Sequence, residues 1–567
     1  MIKLTPKEIF QEYLDGSDYK NSIGDRGIYE QSKMNERFYV GDQWHGVQAG
    51  NSRPLVRRNV IKRIGEYKIA TVCANPVTVN YSAEGVPDAK SVTFDKIPEG
   101  EVTNEEIAYV MNLLNNYHLT SAERVRLNEK LQDLVRDAFI TGTGLLYTYW
   151  DENVETGLFA DTMKPMPIKG DINCKSLSVV NLVFGDPNNS DIQSQPYIII
   201  SQRLPLSEVT RQAEKNSNLI KSDTSISNAG DRGEKEPEDS TRVTVLTKFY
   251  KSYENGTVTV KAIRVIEDAV IKDEWDMRIR LYPLASFTWL PRASSAYGDS
   301  EVTYLIPNQI AINRSLSAAV WSSMITGMPK TVVNRDLVTE QITNDPGQII
   351  NINGGTEYDV QKAMAYVYPP QFAPQLQGVV QDIAESTMSD AGANDAALGD
   401  LRPDNAAAII AVREATLVPM QVYQNRYYSF CEDVARIWAE FWLSMYGERP
   451  MKYRDKSGTK YMPFDSERYR ELVVNAKVDV GASTLWGEAV VVTSLGNLLE
   501  KGIITPVQYL KRIPKGIIPD VTGLIEELQE TSLLSDFKDV YPDEYEKFNT
   551  LSSEDKTEIL KGAEYEG

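Results

Sequence analysis

The chain is 567 residues long, carries a formal charge of −20, and is 42% apolar and 25% charged, with only three cysteines and two histidines. That length exceeds a single hydrophobic core, so several domains or one subdivided subunit are expected, and the composition excludes a disordered chain or a disulfide-stapled scaffold. The acidity argues against general attraction to nucleic acid, although a like-charged channel would let a polyanion slide without trapping it.

No apolar run approaches the roughly 18 residues of a membrane span, and MIKLTPKEIF lacks the apolar core and cleavage site of a signal peptide, so export by that route is not expected. Residues 1 to 75 read as mainly helical. They contain NERFYVGDQWHG and then a basic run in which Arg53, Arg57, Arg58, Lys62, Arg63 and Lys68 fall on one helical region. Such a run is either a solvated face paired with acidic neighbours or a contact to nucleic acid or another subunit. An amphipathic helix follows over 121–140, built on Val125, Leu127, Leu131, Leu134, Val135 and Phe139, and ITGTGLLYTYW turns into a strand. Short alternating segments make a β-rich region to about residue 210. The run 221–240 has no apolar period and reads as a surface loop, after which TRVTVLTKFY and TVTVKAIRVIE form a hairpin around Asn255-Gly256, with VIKDEW as a third strand.

From residue 301 the period becomes helical. EVTYLIPNQIAINRSLSAAVWSSMITG predicts a helix over 301–326 opened near Pro307 and closed by Gly327 and Pro329, with Ile306, Ile310, Val320 and Met324 on one side. Short strands and turns with the breakers Asp345-Pro346-Gly347 and Gly354-Gly355 occupy 327–370, and a second helix spans 371–391. The stretch LGDLRPDN then cannot be helical. Gly399 permits unusual backbone angles, Pro403 pushes Arg402 out of the α region, and Asp404 or Asn405 can cap a helix starting at about Ala406. That helix runs to 448 through Tyr423, Tyr427, Phe430, Val434, Ile437, Phe441 and Met445, with a bend or break at Pro419. Residues 449–567 form a smaller acidic region.

Enzymatic signatures are missing from this order. There is no GxxxxGK[ST], Gly142-Thr143-Gly144 lacks the rest of a dinucleotide fingerprint, and His45 and His118 stand in no metal-ligand spacing. Cys73, Cys174 and Cys431 form no CxxC pair and read as buried small hydrophobes. Asp186 with Asp191, or Asp395 with Asp400, could hold Mg²⁺ in a nuclease, but 80 carboxylates make such pairs common by chance. No catalytic residue, cofactor or metal is therefore expected.

The segment GDSEVTYLIPNQIAINRSLSAAVWSSMITGMPKTVV resembles the stem-entry segment of tailed-bacteriophage portal proteins, the head-to-tail connectors. RPDNAAAIIAVREATLVPMQVYQNRYYSFCEDVARIWAEFW is similar to their tunnel loop and long helix, and NERFYVGDQW to a phrase near their N-termini. The resemblance covers most of residues 30 to 450 and is weak beyond. It implies an α+β subunit with a wing over 1–300, stem helices over 301–326 and 371–391, a β-containing clip over 327–370, a tunnel loop over 392–405 and a crown-like C-terminal region. It further implies a dodecameric ring at one capsid vertex, assembled in the host bacterial cytoplasm and retained in the virion, through which double-stranded DNA is packaged and ejected. Its partners would be the terminase large subunit, a head-tail adaptor, and major capsid and scaffolding proteins, with no membrane. The residues implied are Gly399, Asp400, Arg402, Pro403, Asp404 and Asn405 in the tunnel loop; Lys330, Arg335 and Asp336 for clip partners; and Ile310, Val320, Met324 and Val380 in the stem interface. Two other readings stay open: a terminase-like metal-dependent nuclease and a capsid structural protein without a channel.

Overall fold

A computed structural model describes residues 5–48, 53–75, 77–83, 100–159, 167–213, 220–222, 242–254, 256–327, 330–343, 348–354, 362–367, 375–393, 418–455, 458–479 and 495–513, with a few isolated positions elsewhere. Two compact units divide at Asp479 and Val480. The first is a mixed α+β body. It opens with helices α1 (Pro6–Ser22), α2 (Gly27–Val40) and α3 (Val60–Val72), followed by β1 (Thr78–Ser82), α4 (Asn104–Val125) and α5 (Leu127–Thr141). Then come β2 (Thr143–Phe159), β3 (Pro167–Ser178), β4 (Leu182–Phe184), β5 (Tyr197–Pro205), α6 (Leu206–Gln212), β6 (Arg242–Glu254), β7 (Thr257–Val265), β8 (Val270–Asp276) and β9 (Leu284–Thr288). The last stretch holds α7 (Glu301–Gly327), β10 (Lys330–Val333), β11 (Met364–Val367), α8 (Gln375–Asp390), α9 (Gln421–Met445), β12 (Met451–Asp455), β13 (Gly458–Met462) and β14 (Asn475–Asp479). In the second unit the longest described helix interval is α10 (Pro506–Arg512), capped by Thr505 and Gln508.

β4 to β8 form an antiparallel meander that contains the expected hairpin of β6 and β7 with β8 as its third strand, and β3-β2-β9 form a second antiparallel sheet. The run Ile198, Ile199, Ile200 is buried throughout because the meander is covered on both faces. Ile198 and Ile200 join the main core, whereas Ile199 packs with Ile9, Phe10 and Tyr13 of α1. α1 itself starts on a capping box in which Thr5 and Glu8 bond reciprocally, with Pro6 in the first turn.

Three expectations require correction. The single helix over 121–140 is two helices, because Arg126 adopts left-handed angles (φ 53°, ψ 51°) and redirects the chain between α4 and α5, with neither Gly nor Pro to signal it. α7 begins at Glu301, as the range 301–326 has it, but Pro307 lies inside the helix and does not open it; the start is fixed by Ser300 Oγ, which accepts from Val302 N and donates to Phe139 O. Residues 449–479 belong to the first unit, because β14 pairs with β1 in the register Val79 to Val478 and Tyr109 donates to Pro463 O.

The main core is aromatic and centred on α9, where Tyr427, Phe430, Val434, Ile437, Trp438, Phe441 and Trp442 are buried. Before it, Val418–Met420 form one 3₁₀ turn and the α-helix starts at Gln421, two residues after Pro419, while the expected helix from about Ala406 to 417 lies outside the described residues.

Candidate assembly and docking surface

α7 is two helices in one as regards its surroundings. Its first half is buried by the body, with Val302, Leu305, Ile306, Gln309, Ile312 and Asn313 inside. From Arg314 onward no residue of α7 is buried, and the apolar Val320 and Met324 are 38% and 42% exposed. α8 lies antiparallel to it, tied by Asn308 Nδ2 donating to Thr387 Oγ1 at 3.1 Å, and turns Val380, Ala384 and Met388 inward while Val379 faces out. Of the expected stem interface, Ile310 is partly buried against the core and Val380 is fully inside at 4% exposure, so only Val320 and Met324 are open to a partner. Val380 is corrected accordingly to a packing residue of the α7 and α8 pair.

Between these helices sits the ribbon β10 and β11, in register from Lys330 opposite Val367 to Val333 opposite Met364. Asn334 N donates to Ala363 O, and the Asn334 side chain accepts from Asp336 N, which shapes the turn leaving β10. Lys330, Arg335 and Asp336 are exposed, as are the apolar Val332 and Val367. The implied tunnel-loop residues Gly399, Asp400, Arg402, Pro403, Asp404 and Asn405 lie outside the described residues, as does the start of the long helix.

Two further arrangements anchor α7, and sequence reading missed both. Lys68, placed with the solvated basic run, is buried and meets Glu301 at 2.5 Å, while Trp289 Nε1 donates to the other Glu301 oxygen at 2.8 Å. The segment 53–59 is neither helix nor strand, and is laced to α7 by a stripe at every fourth residue. Gln309 accepts from Val60 N and donates to Arg58 O, Asn313 accepts from Arg58 N, and Ser317 accepts from Val56 N at 2.9 Å. Asn313 also donates to Gln43 at 2.6 Å, and Arg53 lies over the Trp321 ring. The polar i, i+4, i+8 pattern of Gln309, Asn313 and Ser317 inside an apolar helix was the available signal.

The ionisable groups buried elsewhere are held in structural bonds. His118 is packed between Tyr81 and Trp438, its Nδ1 at 2.8 Å from Tyr81 Oη, and burial lowers its pKa to about 4. His45 is exposed beside Asp42 at 3.2 Å. Burial raises the pKa of each cysteine thiol, Cys73 to about 11. Asp171 accepts from Tyr117, Trp442 and its neighbour's amide and forms an ion pair with Arg124 at 3.0 Å. Asp186 and Asp191 spend a carboxylate oxygen each on backbone amides, of Asn188 and Gln193; Asp395 and Asp400 lie outside the described residues. Among the described residues no group of three or more His, Cys, Asp or Glu is placed to hold a metal ion, and no helix is long and apolar enough to cross a membrane.

No protein-family model matches the chain, and no curated protein matches it.

Proposed function

We propose that this chain is the subunit of a portal-type ring, a channel for packaging and ejecting double-stranded DNA that docks a packaging motor and later a tail adaptor. The observation that carries the reading is the α7, ribbon and α8 unit: two antiparallel helices rooted in an aromatic core at one end, open at the other, and joined there by a small exposed β ribbon. Exposed Val320, Met324 and Val379 lie outside the core on the same two helices, an arrangement that suits helix packing between copies. The body supplies the rigid base that such helices need, through Glu301, Gln309 and Asn313. Without a nucleotide-binding motif, the energy for DNA movement comes from the separate motor.

Mass photometry and negative-stain imaging of the purified protein test the reading. The expected result is a closed ring with a central hole. A monomer that cleaves DNA in the presence of Mg²⁺ would replace it with the nuclease reading, and closed shells or sheets without a hole would favour a capsid component.

A further inference from the structure

We infer that the strap Arg53–Arg63 is a polyanion-binding surface that grips the phosphate backbone of duplex DNA without regard to base sequence. Arg53, Arg57, Arg58, Lys62 and Arg63 are all exposed, and none of them forms an ion pair among the described residues. Five such cations within eleven residues form a local concentration of positive charge in a chain of net charge −20, whereas the neighbouring Lys68 is claimed by Glu301.

The strap is also pre-organised. Its backbone is fixed to α7 through Val56, Arg58 and Val60, and Arg57 Nη1 donates to Gly41 O at 2.6 Å, so the cations are presented from a rigid base rather than a loose loop. α3 starts directly behind it with no acidic residue in its first turn, and Lys62 and Arg63 sit at the positive end of the helix dipole. That placement costs stability unless an anion approaches. Four of the five cations are arginine, whose planar fork matches two phosphate oxygens at once. Glu66, one turn on from Lys62 and Arg63, is the nearest carboxylate along α3 and accepts from Tyr39 Oη at 2.8 Å, while charges more than about 8 Å away are largely screened at physiological salt. An acidic face of a second copy is the competing occupant; the amide dipole and guanidinium forks favour phosphate. The inference does not rest on ring formation, which is read separately.

The experiment measures fluorescence anisotropy of a labelled duplex of random sequence with the full-length protein, at salt from about 50 to 200 mM. The wild-type protein should bind with a slope of log affinity against log salt of about −3, as expected for three to four phosphate contacts. Arg58→Glu, Lys62→Glu and Arg63→Glu together should weaken binding by about tenfold or more and flatten the slope. A control with the same charge change at Lys7, Arg126 and Arg436 should bind as the wild type does. Melting curves of both variants check folding, and single Ala replacements at Arg58 or Lys62 read the same slope if the triple variant fails to fold. Absence of wild-type binding at the lowest salt, or equal weakening by the control, overturns the inference. So does unchanged DNA binding by the strap variant with a lowered particle mass, which would assign the strap to contact between copies.

Discussion

Lys68 Nζ and Glu301 Oε1 stand 2.5 Å apart inside the core, their side chains only 6% and 11% exposed, and they join α3 to the first turn of α7. Lys68 also lies over the Tyr423 ring, and Trp289 holds the second carboxylate oxygen, so one ion pair links the N-terminal helices, β9's neighbour and α9. A buried pair of this kind is weak evidence for net stability, but loss of one partner is costly because it leaves the other as a buried unpaired charge.

Replacing Lys68 with Met should therefore destabilise the protein by about 3 kcal/mol, since it strands the Glu301 carboxylate. Adding Glu301→Gln in the same chain should recover part of that loss, as the amide oxygen still accepts from Trp289. Guanidinium unfolding followed by tryptophan fluorescence provides the comparison. Equal losses for the single and double variants would mean that the two residues are not coupled.

Val320 and Val380 separate assembly from folding. Val320 is 38% exposed and Val380 4%, although the sequence places both on one helical interface. Val320→Asp should leave the melting of the unassembled subunit within about 0.5 kcal/mol of wild type, as surface changes do, and reduce particle mass. Val380→Asp should cost about 3 kcal/mol or more by burying a charge between α7 and α8. Light scattering beside melting curves reads both, and intact particles from the Val320 variant would remove that residue from any contact between copies.

Much of this architecture was legible locally. The helical recurrence of Tyr427, Phe430, Val434, Ile437 and Phe441 gave α9 its buried face, and alternating segments around Gly256 gave the meander. What escaped was long-range or unmarked. Arg126 turns the chain with no residue type to announce it, and β14 meets β1 across almost the whole first unit. Lys68 shares its run with five exposed cations, so burial could not be read from charge; it depends on a glutamate far along the chain. The outward residues of α7 share one apolar side with its buried ones for the converse reason, since periodicity reports which side is apolar and not what covers it.

Lys20 offers a pH test. It is fully buried, donates to Val180 O at 2.7 Å and Leu182 O at 3.0 Å, and lies 4.8 Å from the Tyr29 ring, whose own hydroxyl is raised and stays neutral over the range used. Burial lowers the Lys20 pKa from 10.5 to about 7. Between those values the unfolded chain holds a proton that the folded chain has released, so this group makes folding more favourable as pH rises from about 7 toward 10.5. Below about pH 7 the penalty for the buried charge is fully present. The slope is at most about 1.4 kcal/mol per pH unit. Unfolding free energies at pH 7 and pH 9 should rise for the wild type relative to Lys20→Met. Parallel pH profiles for the two proteins would show that Lys20 stays charged in the fold.

The ribbon between α7 and α8 carries the last prediction, which rests on the proposed ring. Among the described residues the ribbon has two strands and no neighbour on either outer edge, and such edges invite pairing or side-chain contact with a partner. Here the exposed Val332 and Val367 supply apolar area and Lys330, Arg335 and Asp336 supply charge. None of these residues contributes to the core, so Val332→Lys with Arg335→Glu should leave stability within about 0.5 kcal/mol and particle mass unchanged. Capture of the cognate terminase large subunit by the purified rings should fall, because one change breaks the apolar contact and the other reverses a charge. Packaging of DNA into procapsids should drop in step. Full capture with normal packaging by this variant would move motor docking away from β10 and β11, whereas loss of ring mass would assign the ribbon to contacts between subunits.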